Sequence, residues 1–437
     1  MAIQRLRLRQ FKCFEDSGDI PIAPLTVIFG RNNTGKSSIL QSLLLFRQTL
    51  DSPEYGPRLD LRGPLYNAGT YADLVHQHKS KENITVEFGF DIDDGPGTAS
   101  IELEFSSDEP QPARLARLKI TSDLADPLEI KRGRGRGGPY ELYLGGKSQG
   151  TEEKALFRFP ANGFFPLIGP EPLRIGRPNE KHQQTRLSAR SILMDVETAL
   201  RNMRAVGAFR QQPERRYEYQ GRAPQSVDAT GRMVMAALIE DIMRRGAQRG
   251  QLVEEVNYWL KAVGRVRILG LKRISTSARI FEVRLRDTDS GRWANFADVG
   301  FGIGQAFPVL VEGLRTPEGG MFLVQEPEIH LHPDAQLRMA DFLVSLALKG
   351  RRVVVETHSE NLLLRIRRRI LGRGRRIPPS DVSIVHVRKN RDGTSQAVPL
   401  PIDDMAQVGN WPPGFMEEAT QERMEILKRM GRAAARG

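Results

Sequence analysis

"FGRNNTGKSS", residues 29–38, lies between two apolar runs, "LTVIF" (25–29) and "ILQSLLLF" (39–46). The first reads as a short buried strand and the second as part of a helix running to about Leu50, so the polar stretch is a strand-to-helix loop. It fits G-x-x-x-x-G-K-[ST] at every fixed position. Gly30 and Gly35 let the backbone turn tightly and aim successive N–H groups, with the helix N-terminus, at phosphate oxygens. Arg31, Asn32, Asn33 and Thr34 form the body of that cradle. Lys36 adds a point charge for the β- and γ-phosphates, and Ser37, followed by Ser38, offers a hydroxyl to Mg²⁺. The stretch predicts an ATP-Mg²⁺ site.

Outward from the loop, the 437 residues exceed the size at which one hydrophobic core keeps growing, so two lobes are expected. "QRLRLRQFKCF" ahead of the loop alternates like an edge strand. After the first helix, "NITVEFGFDID", "ASIELEFSS", "ARLARLKITS", "LEIKRG" and "YELYLGG" alternate between turn residues, which predicts an antiparallel meander. Residues 185–263 turn helical and are followed by two strands, "RVRILGLKRI" and "RIFEVRLRD". From Phe296 loop, helix and strand alternate, the pattern of a parallel α/β core. The expected fold is therefore α/β, a mixed sheet core with an inserted antiparallel meander and a helical lobe. The expected segments are 1–80 (first part of the core), 81–170 (β subdomain), 171–295 (helical lobe with a hairpin), 296–400 (second part of the core) and 401–437 (tail).

Three downstream stretches carry chemistry. In "GGMFLVQEPEIHLHP" a buried strand, Met321 to Val324, delivers Gln325, Glu326 and Glu328 at its C-terminal end, where parallel sheets bind ligands. Glu326 is placed to polarise an attacking water. Gln325 takes the position where an aspartate usually contacts Mg²⁺ through water, and an amide brings no charge. A second strand, "RRVVVETHSE", ends in Thr357, His358 and Ser359, and His358 is placed to orient the same water beside a γ-phosphate. In "DVGFGIGQAFPVLVEGL", Gly300, Gly302 and Gly304 lead to Gln305, which opens a helical pattern with Pro308 in its first turn. A glycine-rich helix entry is a second anion site. One chain cannot easily bring both glycine loops to one phosphate, whereas two chains head to tail can, which predicts an ATP-sandwich homodimer.

With these residues on the page, the chain resembles ABC-type ATPases of the SMC/RecF/OLD branch, and more closely bacterial ATPases of the AAA_15/AAA_21 type, which often sit in phage-defence operons. GRNNTGKSS resembles the Walker A motif, FGIGQ the signature, FLVQEPEIHLHP the Walker B with D-loop and VVVETHS the switch-histidine loop; "LRLRQFKCF", "ETHSENLLLRIRRRI" and "NWPPGF" extend the likeness. The resemblance implies that Lys36 and Ser37 bind triphosphate and Mg²⁺, that Gly302, Gly304 and Gln305 meet the γ-phosphate across the dimer, that Glu326 activates water and that His358 is the switch. The signature serine is replaced by Gly302, the Walker B aspartate by Gln325 and the D-loop aspartate by His332; Gln77 is a candidate Q-loop residue. His330 and His332, two apart on a loop, do not make a zinc site without further ligands.

The net charge of +12 and pI near 9.9 favour a polyanionic partner, DNA or RNA before a membrane. "IKRGRGRGG" (130–138) and "LRIRRRILGRGRR" (364–376) are the densest basic stretches; in a helix, Arg365, Arg368, Arg369 and Arg376 share a face that suits a phosphate backbone. A charged surface or partner interface is the competing reading. The single cysteine, Cys13, excludes an intramolecular disulfide framework, and no apolar run reaches membrane-span length; a cytoplasmic location is expected. The 79 residues after His358 hold Asp403 and Asp404 but no acidic cluster, and no Toprim nuclease is expected there. These readings lead to an ATP hydrolase that dimerises on ATP, alone or in a higher assembly, and acts as the motor or switch of an anti-phage or DNA-maintenance complex beside an effector or nuclease partner. A slow-hydrolysing nucleotide-gated scaffold and a RecF-like repair ATPase are the alternatives.

Overall fold

The computed structural model describes residues 2–52, 56–92, 97–107, 113–133, 138–155, 157–160, 164–169, 180–221, 229–246, 249–275, 279–372, 376–413, 422 and 424–430. Two large sheets share the work. The first is antiparallel: Ile3–Phe11 pairs with Ile84–Asp91, and from there Thr98–Ser106, Arg114–Ser122, Ala125–Arg132, Tyr140–Leu144 and Lys147–Thr151 follow in sequence order, the expected meander. Along Thr98–Ser106 every second residue is buried, Ile101, Leu103 and Phe105 among them, because one face packs on the core and the other meets water.

Ile3–Phe11 is not the edge strand its alternation predicts. Its other side is covered by the short strands Phe14–Asp16 and Ile20–Pro21, whose brevity hides them from a pattern search. Its arginines are spoken for: Arg5 bonds Glu87 (2.9 Å) and Asp19 (3.1 Å), Arg7 bonds Asp16 (2.6 Å), and Arg9 bonds Glu87 (2.9 Å) and Glu102 (3.1 Å). A basic strand is thus matched by acidic neighbours across the sheet.

The second sheet has six strands in the order Arg204–Val206, Met321–Gln325, Arg352–Glu356, Leu25–Phe29, Val382–Lys389 and Ser395–Leu400. All neighbours are parallel except the last pair, and Leu25–Phe29 is buried at every residue, the signature of a strand covered on both faces. The helix Lys36–Asp51 bridges the sheets, while Phe301–Arg315, Pro333–Leu348 and Glu360–Leu371 pack with the six-stranded one. The helices Val234–Met243 and Gln251–Gly264, with the hairpin Val266–Ser275/Ile280–Asp287, stack beside Phe301–Arg315. After the last strand the chain returns to the loop strand, where Trp411 stacks on Phe29 (5.0 Å, 12°). Gly414 and Phe415 of "NWPPGF" lie outside the described residues.

The signature helix starts earlier than its sequence suggests. It runs from Phe301, with Gly300 before it, so Pro308 sits mid-helix rather than in the first turn. Glycine disfavours helix, which pushes a sequence-based start toward Gln305. Packing decides otherwise: a Cβ on Gly302 would lie 2.5 Å from the His330 carbonyl oxygen, and one on Gly304 would lie 2.9 Å from the Pro213 ring.

Candidate nucleotide site

The loop strand, the His358 strand and the Glu326 strand are neighbours in that order, with Ile28 level with Glu356 and Glu356 level with Gln325. Three chain segments therefore leave the sheet at one edge, its C-terminal end, where the loop begins. Gly30 and Gly35 are required by space as well as by turn: a Cβ on Gly30 would collide with the Val387 carbonyl, and one on Gly35 with Cys13 Sγ. Gly35, in the left-handed region at φ 101°, and Asn33, at φ 63°, shape the cradle.

Within it, Arg31, Asn32 and Asn33 are exposed, while Thr34, Lys36 and Ser38 are buried. Thr34 Oγ1 donates to the Arg31 carbonyl (2.9 Å), and Lys36 Nζ donates to the same oxygen (2.8 Å). Burial lowers the Lys36 pKa against the pull of Glu356 and Glu326. An ammonium folded onto its own loop carbonyl has two further donor positions for an incoming anion. Ser37 Oγ donates to Glu356 Oε1 (2.7 Å), and Gln325 Nε2 donates to Glu356 Oε2 (2.8 Å). The donor set fits a magnesium nucleotide: loop amides and a lysine for phosphates, a hydroxyl and a carboxylate for the cation.

Glu326 leaves its strand in the left-handed region (φ 44°), a costly conformation for a non-glycine residue. Two contacts hold it there. Its N–H donates to the Glu356 carbonyl (2.8 Å), and its carbonyl accepts from Arg210 Nη2 (3.0 Å). The Glu326 carboxylate is half-buried, with Oε1 3.9 Å from His358 Nε2. That gap is too long for a direct hydrogen bond and suits a water held by both. Burial first, then Lys36, lowers the His358 pKa, so the ring is neutral at pH 7 and exchanges donor and acceptor roles. Glu328 is buried and holds His358 from below: its Oε1 accepts from Thr357 Oγ1 (2.6 Å) and from the His358 N–H (2.8 Å). Burial raises its pKa.

Arg210 is absent from the sequence reading, and no motif marks "AFRQQP". It is buried, and it donates to the carbonyls of Gly207 (2.9 Å), Gln305 (3.2 Å) and Gln325 (2.5 Å) as well as Glu326. Burial lowers its pKa to about 10, so it stays charged. One guanidinium thus ties the signature helix to the Glu326 strand. Glu356 was visible in "VVVETHS" but only as the end of a strand, because its neighbours Ser37 and Gln325 are 319 and 31 residues away.

The signature residues divide. Gly300 and Phe301 are exposed and Gly302 half-exposed, so the helix entry is open to solvent. Gln305 is 3 % exposed, with its amide 3.5 Å from the Arg210 carbonyl. The side chain expected to reach a partner's phosphate faces its own protomer here. Gln77 is exposed on a 3-10 turn, at φ 54°. His332 caps the helix Pro333–Leu348, and His330 packs edge-on against Phe301 (4.6 Å). Among the described residues no group of three His, Cys, Asp or Glu side chains assembles as a metal centre.

The arginine helix also departs from expectation. Arg365 donates to both Asp341 oxygens (2.8 and 2.7 Å) and Arg369 to Oδ1 (2.6 Å), so two of the four arginines expected on a phosphate track are bound within the fold. Spacing showed a shared helical face but not that the helix Pro333–Leu348 covers it. Arg373–Arg375, and Arg134–Gly137 of the other basic stretch, lie outside the described residues. Asp403 Oδ1 accepts from the Met405 and Gln407 amides (3.0 and 2.7 Å), the work of a turn.

Two family models match the chain. The AAA_15 family, described as "AAA ATPase domain", matches residues 1–126, and AAA_21, described as "AAA domain, putative AbiEii toxin, Type IV TA system", matches residues 165–365. The chain carries AAA_15 and AAA_21 ATPase domains over these two stretches. Among solved structures this ATPase is similar to an SMC head bound to the C-terminal winged-helix domain of ScpA (14% identity, 92% of this chain and 98% of that one, TM-score 0.46). It is also similar to the SMC head domain from Thermotoga maritima (13%, 91% and 99%, 0.40) and to an SMC head with extended coiled coil bound to the ScpA C-terminal domain from Pyrococcus furiosus (13%, 98% and 99%, 0.42). No curated protein matches the ATPase in sequence. Among its described residues no helix is long and apolar enough to cross a membrane.

Proposed function

We propose that the ATPase binds and hydrolyses ATP with Mg²⁺, closing into a head-to-tail homodimer in which the open entry of the Phe301–Arg315 helix faces the partner's loop. The observation that carries this reading is the meeting of Lys36, Ser37, Glu326 and His358 at one sheet edge, with the glycine-rich helix entry left open to solvent. Lys36 and the loop amides hold the triphosphate. Glu326 takes the proton of a water that His358 helps to orient, and Glu328 and Arg210 keep those two residues in place. Bound Mg²⁺ draws charge from the phosphate oxygens. At the helix entry, Gly302 contributes backbone N–H groups rather than a serine hydroxyl.

Closure and release serve as the switch of a bacterial anti-phage or DNA-maintenance complex with an effector or nuclease partner; the toxin–antitoxin description of the AAA_21 family supports the genome-conflict setting. A cytoplasmic location belongs to the same proposal. Nucleic acid remains a proposed partner through the net charge, not through Arg365 and Arg369. The slow scaffold reading is favoured by one observation, the neutral Gln325 at the cation position.

One experiment separates these. Steady-state ATPase and light-scattering mass are measured for wild type and Glu326→Gln, with and without ATP-Mg²⁺. Removing the water-activating carboxylate lowers kcat by roughly 10²–10⁴-fold, and the variant accumulates as an ATP-bound dimer. Equal, negligible rates with a dimer in both proteins favour the scaffold. A monomer in every state, for the variant as well, overturns the sandwich.

A further inference from the structure

Glu356 is a buried carboxylate to which the sequence motifs assign no task. It is 3 % exposed, and it attracts the Lys36 ammonium through space. A buried carboxylate is costly unless a cation or several donors face it. Its two oxygens divide between the residues that conventional motif reading assigns to the metal: Oε1 accepts from Ser37 and Oε2 from Gln325. The sheet explains why. The Glu356 strand lies between the Gln325 strand and the loop strand, in register with both, and the carboxylate ending it meets Ser37 directly at 2.7 Å. A chain that carries an amide at position 325 has therefore placed its negative charge one strand nearer the phosphate loop.

We propose that Glu356, not Gln325, is the protein carboxylate that holds the nucleotide's Mg²⁺, together with the Ser37 hydroxyl. Mg²⁺ in nucleotide sites takes one or two carboxylates and fills the rest of its shell from phosphates and water, and Glu356 with Ser37 supplies that protein share. Gln325 orients Glu356 through its amide, which leaves Oε1 fixed on Ser37. This inference rests on the reading of the loop as a magnesium–nucleotide site.

The test reads cation dependence of binding rather than turnover. ATP affinity of the full chain is measured by calorimetry in EDTA and in Mg²⁺, and Mn²⁺–ATP binding is followed by electron paramagnetic resonance. In Glu356→Gln, which preserves shape and Ser37's acceptor, affinity in EDTA stays within about twofold of wild type, while the gain on adding Mg²⁺ falls by roughly tenfold or more. Glu356→Asp, which keeps the charge but withdraws it by one methylene, loses part of the gain. Adding Gln325→Asp to Glu356→Gln restores it by returning a carboxylate to the neighbouring strand. An undiminished Mg²⁺ gain and Mn²⁺ signal in Glu356→Gln overturns the assignment and leaves the nucleotide site standing. Failure of the wild type to bind ATP in either medium overturns both together.

Discussion

Asp341→Ala is the sharpest test of how the arginine helix is held. Asp341 is 9 % exposed at its side chain and accepts three charge-assisted bonds, two from Arg365 and one from Arg369, whose side chains are 13 % and 27 % exposed. Removing the acid leaves two guanidiniums facing each other in a half-dry crevice. Breaking such a pair costs about 3–5 kcal/mol when fully buried, and the partial exposure of Arg369 places this site near the lower figure, about 3 kcal/mol. At about 2–4 °C per kcal/mol for domains of this size, melting falls by roughly 6–12 °C.

The pH dependence follows the same pair. Burial pushes the Asp341 carboxyl up, but Arg365 and Arg369 together pull it below the usual carboxylate range. A depressed acid stabilises the fold above its unfolded pKa of about 4 and loses that contribution as pH falls through its folded value. The gap between wild type and Asp341→Ala is therefore full at pH 7 and closes below about pH 4. Differential scanning calorimetry at pH 7 and at lower pH measures both. A variant melting within about 1 °C of wild type at pH 7 refutes the reasoning and returns Arg365 and Arg369 to the surface as candidate phosphate contacts.

Two further outcomes follow from the packing of the site. Gly302→Ser, which restores the customary signature residue, lowers stability by about 1–3 kcal/mol because its Cβ meets the His330 carbonyl, and it does not raise the ATPase rate; thermal melting with steady-state kinetics checks this, and a faster, equally stable variant contradicts it. Arg210→Met leaves the Gln305, Gln325 and Glu326 carbonyls without their donor and frees Glu326 from its left-handed backbone, so kcat falls at least roughly tenfold while ATP affinity stays within about twofold; loss of affinity with unchanged kcat speaks against a positioning role.

The motifs were legible because each is local. Glycine spacing, a lysine and a hydroxyl over a few residues define a phosphate loop wherever strand and helix flank it, and the buried run Met321–Val324 announces a strand that delivers Gln325 and Glu326 together. Alternation likewise announced the meander, since one wet face and one dry face impose a two-residue period. The start of the signature helix was not legible, because Gly302 and Gly304 are chosen for the His330 carbonyl and Pro213, which lie elsewhere in the chain.

What the sequence by itself determined is the identity of the loop and the kinds of groups beside it, since both follow from neighbours along the chain. Only the tertiary structure decided which of those groups share a site. Strand order set Glu356 between Ser37 and Gln325; helix packing turned Arg365 and Arg369 inward onto Asp341; and the buried Arg210 joined the signature helix to Glu326. Each is a contact between residues well separated in sequence, where spacing carries no information and only sheet register and helix packing bring the groups within a few ångströms.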